Sequence, residues 1–338
     1  MNPQRILLIS LLSAAVSATL AQSAHAADEK PAAFQPTAQA SIVPAGAKVE
    51  VVWNDGEFTE GPTADRDGTI LFSDIGNRIL RYNPASGKTT VYRADSGKAN
   101  GLMFDPQGRL VACEGANGGN RRISITDRQG KVRTLADRWQ GKRFNSPNDL
   151  AIDRGGRVYF TDPRYVGDER REIDFEGVFL VDTAGKVSVA TRDVQKPNGI
   201  LLSIDSRRAY VSDNNPKGNR HLAMFSLSRG GLLIGKRVLF DFGSGRGIDG
   251  MTLDRQGNVY ATAGSGPRAG VYVFDPGGKP LALIPTPGDP TNCVFGTGDD
   301  AHTLYVTAAG PPPKTKDAPR RYALYRILLK TTGYHLYP

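Results

Sequence analysis

The sequence predicts an all-β chain closed into a six-bladed β-propeller, and three observations carry that prediction. Six segments open with an oxygen-bearing side chain, at Glu60, Asn100, Asn148, Asn198, Asp249 and Asn292, separated by 40, 48, 50, 51 and 43 positions. A repeat of that period is the mark of a propeller. Each segment then runs through an apolar alternating stretch, a D-x-x-G turn or close variant, and a second stretch. In the third repeat these are 150–153, 154–156 and 157–161. Alternation of period two around a Gly-containing turn signals a hairpin. No stretch shows a long helical period.

The elements follow in order. Met1 to Gln4 are polar, Arg5 is basic, and Ile6 to Leu20 are small or apolar, ahead of Ala24-His25-Ala26. This is the pattern of a secretory signal peptide over 1–26. Its apolar run is too short for a comfortable membrane span, so the expectation is export to the periplasm or beyond, without a membrane anchor. Residues 27–46, rich in Ala, Pro and Gln, read as a flexible leader. Residues 47–338 form the propeller. Lys48 to Trp53 is a strand placed to pair with Tyr322 to Leu328, so that the two ends of the domain close the last blade and leave few open edges.

Bulk properties exclude several classes. The formal net charge of +9 is scattered over the repeats, a poor pattern for nucleic-acid binding. The two cysteines, Cys113 and Cys293, fall in the strands of non-adjacent repeats and read as buried thiols; no Cys/His pattern suggests zinc. There is no G-x-S-x-G elbow, and past the signal only His221, His302 and His335 remain, which argues against a Ser-His-Asp hydrolase. A monomer or weak oligomer is expected.

Residues at one register of every blade share a ring of the propeller, so the six lead side chains should converge on the axis. Asn, Asp and Glu offer hard oxygens, the donors calcium prefers, and Glu60 and Asp249 would neutralise a divalent ion. Turn-making is the competing reading, because Asn100, Asn198 and Asp249 are each followed by Gly. Six of six in register favours inward-facing ligands. A second register, Asp74, Glu114, Asp162 and Asp213, ends the second strand of four blades, and reads equally as channel-facing or as solvated strand ends.

These motifs resemble the gluconolactonase branch of the regucalcin (senescence marker protein) family. The likeness rests on Glu60-Gly-Pro62, Gly97-Lys-Ala-Asn-Gly101, Asn145-Ser-Pro-Asn-Asp149, Phe160-Thr-Asp-Pro163, Lys196-Pro-Asn-Gly199, Ile248-Asp-Gly-Met251 and Asn292-Cys-Val-Phe-Gly296. It implies a metal site in the central channel holding one divalent cation, Ca²⁺ foremost, with Mg²⁺, Mn²⁺ or Zn²⁺ as alternatives. Matched motif by motif, the metal ligands would be Glu60, Asn148, Asn198 and Asp249. Asn100 and Asn292 would instead contact substrate or water. The implied activity is metal-dependent opening of a sugar lactone, with Asp249 as the catalytic base or, alternatively, the nucleophile. Asn100, Glu114, Arg143 and Asp162 are candidate substrate contacts. One departure stands out: relatives commonly read C-E-H-G-N-R-R where this chain has Cys113-Glu-Gly-Ala-Asn-Gly-Gly-Asn-Arg-Arg122, without the His. The substrate therefore stays open. A hydrolase of another ester or of an organophosphate, and a non-catalytic ligand-binding propeller, are the rival readings.

Overall fold

The computed structural model describes residues 33–310 and 319–336. The expected signal peptide lies outside these residues. Six four-stranded antiparallel sheets follow one another along the chain. From the inside outward, blade 1 is Thr59–Ala64, Ile70–Asp74, Arg78–Asn83 and Lys88–Ala94. Blade 2 is Ala99–Phe104, Leu110–Glu114, Arg122–Thr126 and Val132–Ala136. Blade 3 is Leu150–Ile152, Val158–Thr161, Val178–Val181 and Val187–Thr191. Blade 4 is Pro197–Leu202, Arg208–Asn214, Arg220–Leu227 and Leu233–Asp241. Blade 5 is Met251–Leu253, Val259–Ala263, Gly270–Phe274 and Pro280–Pro285. Blade 6 is Pro290–Phe295, Thr303–Ala309 and Tyr322–Leu328, completed on the outside by Glu50–Gly56. That last pairing, with Glu50 opposite Arg326 and Val51 opposite Tyr325, is the closure the sequence suggests.

The inner hairpins form for local reasons. In blade 3, Asp153 Oδ1 accepts the N–H groups of Gly155 and Arg157, both at 2.9 Å. Gly156 takes the positive φ that the turn demands, +85°. Apolar residues of adjacent blades then pack face to face. Cys113 lies among Val111, Ile123, Phe160 and Phe179, and Cys293 among Tyr260, Val271, Phe295 and Val306. Both cysteines are free thiols in separate clusters, and burial pushes their ionisation well above the usual thiol range.

A chain of hydroxyl bonds ties neighbouring blades near the axis. Ser73 Oγ donates to Asn100 O at 2.7 Å, Thr161 Oγ1 to Asn198 O at 2.7 Å, and Thr262 Oγ1 to Thr291 O at 2.7 Å. Ser212 Oγ donates to Ile248 O, and Thr291 Oγ1 joins the last blade to the first by donating to Thr59 O at 2.7 Å; blades 2 and 3 are joined instead by the backbone bond from Gly101 N to Asn148 O at 2.8 Å. Satisfying these buried carbonyls from the next blade fixes how far apart the inner strands stand.

The expected flexible leader is docked from Phe34 onward. Thr37 and Ala38 donate backbone N–H groups to Pro280 O and Leu281 O, and the Gln39 side chain makes two bonds to the backbone of Leu283. The segment thus covers the outer edge strand of blade 5, where unpaired backbone would otherwise be exposed. Phe34 meets Tyr272, Phe274 and Phe240 edge-on, at 4.7, 5.3 and 5.9 Å between ring centroids. Ile42, at the end of the single helical turn Gln39–Ile42, is buried against blade 6 and its neighbours. Two apolar anchors spaced by polar residues leave no periodic pattern, which is why the segment reads as a linker. Phe34→Ala is expected to cost about 2 kcal/mol, read as a lower urea midpoint at unchanged slope. An unchanged midpoint would show that the docked leader adds nothing to stability.

Candidate active site

The inner strands begin at one end of the axis, and the residue after most lead positions is glycine because consecutive blades nearly touch there. A Cβ on Gly199 would stand 2.3 Å from Asp249 O, and one on Gly101 would stand 2.5 Å from Asp149 Oδ1. Backbone bonds join the same places: Gly101 N to Asn148 O and Gly199 N to Asp249 O, each at 2.8 Å. The lead residues are thereby gathered into a ring. Glu60, Asn198, Asp249 and Asn292 are buried, at 4, 8, 8 and 6 % exposure, while Asn100 and Asn148 are half-buried.

The ring is strongly electronegative. Burial, with Asp249 and Asp149 adding to it, pushes the Glu60 carboxyl well above the usual range. Burial likewise raises Asp249, opposed by Arg246 and by a hydrogen bond from the Asn198 side chain. Asp149 is pushed up to about 7, chiefly by burial, with Asp249 contributing. Charges brought this close in a poorly solvated ring resist ionisation unless a cation compensates them. Arg246 supplies part of that: its Nη2 is bonded to Asp249 Oδ2, and its Nη1 donates to Pro290 O at 2.7 Å.

Three residues at this site were not singled out from the sequence. Asp149 left a trace: Asn148-Asp149 is the one repeat in which a carboxylate follows the lead residue, where the others carry Gly or Cys. Its oxygens accept from Leu150 N at 2.9 Å and Ile200 N at 3.3 Å. Arg246, three residues before Asp249, carries no pattern of its own. Tyr165 comes from the long connection between the second and third strands of blade 3. Its hydroxyl donates toward Asn214 O, 3.0 Å away, and engages the Asn198 side chain, while 38 % of the residue stays exposed.

The second register resolves into anchors rather than channel groups. Asp74 Oδ1 accepts from Glu57 N and Phe58 N, Asp162 from Asn145 N and Ser146 N, and Asp213 Oδ1 from Gln195 N and Lys196 N, all within 3.0 Å. In each blade these donors stand three and two residues ahead of the lead residue. The carboxylate therefore holds the loop that delivers Glu60, Asn148 or Asn198. Glu114 is fully buried and bound to Arg93, Asn120 and Arg122. Neither Glu114 nor Asp162, as expected of a substrate contact, presents a free oxygen to the channel; both are spent on structure. Arg143 donates to Asn120 O at 2.6 Å, and its own N–H goes to Glu172. Asn100 stands on the ring.

Below the ring the axis holds a cavity of about 150 Å³, walled by Leu102, Ile152, Leu202, Leu253 and Val294. Tyr334 and His335 of the C-terminal segment line its far end, held by Tyr334 N to Leu253 O at 3.0 Å and by a 2.9 Å contact of His335 Nε2 with Gly296 O. Among the described residues, no group of three or more His, Cys, Asp or Glu side chains is arranged to hold a metal. The candidate donors are instead two carboxylates, Glu60 and Asp249, with the amides of Asn148 and Asn198. All offer hard oxygens, they come from blades 1, 3, 4 and 5, and the surrounding negative charge is undercompensated. That chemistry fits a calcium- or magnesium-like ion.

A six-bladed propeller with a buried carboxylate–amide ring at one end of its axis defines a class of axial-site propellers. Residues 58–310 match the family described as "SMP-30/Gluconolactonase/LRE-like region", and the chain belongs to that family. It is 31 % identical to a gluconolactonase of Zymomonas mobilis, over 89 % of this chain and 92 % of that one. A gluconolactonase structure from Xanthomonas campestris superposes with a TM-score of 0.74 at 29 % identity, covering 90 % of this chain and 96 % of the other. A calcium-binding regucalcin from Agrobacterium tumefaciens shares the fold, with a TM-score of 0.68 at 21 % identity over 85 % and 96 % of the two chains.

Proposed function

We propose that this protein is an exported, divalent-cation-dependent hydrolase that opens the ring of a sugar lactone. The observation that carries the reading is the ring itself: Glu60, Asn148, Asn198 and Asp249, delivered by four blades to one end of the axis. The likeness to gluconolactonases over nearly the whole chain supports the substrate class. The signal-like start of the sequence supports export.

Glu60, Asn148, Asn198 and Asp249 would hold the cation. When bound, it would supply Lewis-acid polarisation of the lactone carbonyl. Asp249 takes the proton of the attacking water at a carboxylate oxygen and returns it to the ring oxygen that leaves. Arg246 and the Asn198 amide favour its ionised form against burial. Asn100, half-buried on blade 2, has a side chain suited to sugar hydroxyls, whereas the amide of Asn292 on blade 6 is bonded to Cys293 N and Asp149. Tyr165, partly exposed beside Asn198, offers an aromatic ring of the kind that packs against a sugar.

The test is hydrolysis of glucono-δ-lactone by chelator-stripped protein, followed by pH-stat above the spontaneous rate. Addition of Ca²⁺, Mg²⁺, Mn²⁺ or Zn²⁺ in turn should restore turnover by at least about 100-fold with one preferred ion. Equal turnover with and without chelator would end the cation-dependent reading. Cation binding without turnover of any lactone would end the lactonase reading.

A further inference from the structure

We propose that Arg246 is a resident counter-cation of the ring: its guanidinium neutralises one of three buried carboxylates, Glu60, Asp149 and Asp249, so that the protein folds before it acquires a divalent ion and holds that ion less tightly than the bare carboxylates would. The inference rests on the reading of the ring as a divalent-cation site.

The geometry shows a fixed cation, not a mobile surface arginine. Arg246 Nη1 donates to Pro290 O at 2.7 Å and reaches Gly264 O at 3.4 Å, so blades 5 and 6 both grip the guanidinium. The backbone is held as well, with Gly264 N donating to Arg246 O at 3.0 Å. From that mount Nη2 bonds Asp249 Oδ2. The guanidinium also lies near enough to Glu60 to interact with it electrostatically, so its field covers both candidate ligand carboxylates.

The charge count explains the need for it. Three carboxylates lie within one another's field, all buried. Asp149 is committed to the N–H groups of Leu150 and Ile200 and adds charge to the ring from that position. Fully ionised, the set would carry three negative charges in a poorly solvated space, where an uncompensated buried charge is strongly destabilising. Paired with Arg246, the fully ionised set would carry two, the charge one divalent ion balances. A fixed positive group this near the ion must also repel it, and short-range repulsion of this kind is weakly screened.

Arg246→Met removes the charge and keeps the bulk of the side chain; Arg246→Lys keeps the charge. Thermal unfolding of chelator-stripped protein by circular dichroism is compared with unfolding in saturating Ca²⁺, and Ca²⁺ affinity is read by calorimetry. In the stripped state Arg246→Met should melt about 5 °C or more below the parent, with the deficit largely erased by Ca²⁺. Its Ca²⁺ affinity should be about tenfold tighter. Arg246→Lys should stay near the parent in both measurements. Loss of the two carbonyl bonds alone would give a deficit that Ca²⁺ does not erase, and that result overturns the proposal. So does an unchanged stripped-state melting point, or a weaker Ca²⁺ affinity in Arg246→Met, which would make Arg246 only an orienting group for Asp249. Should Arg246→Met survive only with Ca²⁺ present while Arg246→Lys can be stripped, the proposal stands in its strongest form. If the parent itself takes up no Ca²⁺, Mg²⁺ or Mn²⁺, the cation-site reading fails; the stripped-state comparison of Met with Lys still decides whether Arg246 compensates the carboxylates.

Discussion

Asp249→Asn should abolish lactone turnover, lowering kcat by at least about 10³-fold, while the protein folds and remains soluble. The substitution preserves shape and keeps one oxygen for the ring. It removes what an amide cannot supply: an oxygen that accepts and returns a proton near neutral pH, and the negative charge that faces the cation and Arg246. The environment of Asp249 suits that task. Burial pushes its carboxyl upward, and Arg246 and Asn198 pull it back toward the ionised form. The fold should survive because Asp249 is tied by its backbone, through Asp249 N to Thr262 O at 2.8 Å and Gly199 N to Asp249 O at 2.8 Å, and these bonds do not involve the side chain. Circular dichroism and a melting curve would establish folding, and pH-stat assays at saturating Ca²⁺ would give kcat. Turnover within tenfold of the parent would remove Asp249 from the chemistry. A full loss accompanied by collapse of the melting transition would leave its role to a gentler variant such as Asp249→Glu.

Gly61→Ala should be the most damaging single-methyl change in the propeller, costing more than about 4 kcal/mol and yielding insoluble or unfolded chain at 37 °C. Gly61 adopts φ +44°, and its added Cβ would lie 2.0 Å from Asn100 O, 2.7 Å from Asn100 C and 2.8 Å from Gly101 Cα. All three are backbone atoms of the next blade, so no rotamer change relieves the overlap. Blade 2 would have to move outward. That would break the Ser73 Oγ to Asn100 O bond and shift Asn100 off the ring. A control separates this clash from backbone strain. Gly87 also has positive φ, +66°, but nothing lies within 4 Å of its would-be Cβ. Gly87→Ala should therefore cost only about 1 kcal/mol. Equal denaturation midpoints for the two variants would show that blade contact at Gly61 is unimportant.

That contrast also shows what kind of information the sequence holds. Glycine after a lead residue reads, by turn chemistry, as an Asn-Gly or Asp-Gly turn. In the structure these glycines sit at the start of inner strands, where a neighbouring blade leaves no room for a side chain. The spacing of Asp74, Asp162 and Asp213 behind their lead residues is visible in the sequence as well. Their purpose is not, because the N–H groups they hold belong to loops that only the folded blade brings opposite. Asp162 and Glu114 therefore looked available to substrate and proved to be consumed by structure. The leader misled for the opposite reason: Phe34 and Ile42 carry no periodic signal, and their partners lie about 200 or more residues further along the chain.

By itself the sequence determined the six-bladed architecture, the closure of the ring by its two ends, and the register that brings Glu60, Asn100, Asn148, Asn198, Asp249 and Asn292 to one end of the axis. Those properties follow from period, alternation and turn residues, which are local and repeat in every blade. Only the tertiary structure decided that Asp149 adds a third carboxylate to the ring, that Arg246 stands against Asp249, that Tyr165 reaches Asn198, and that the second register of acids anchors loops. Each of these is a contact between blades or between a loop and a strand of another repeat. Electrostatics and hydrogen bonding depend on distance in space, and no periodicity along the chain encodes it.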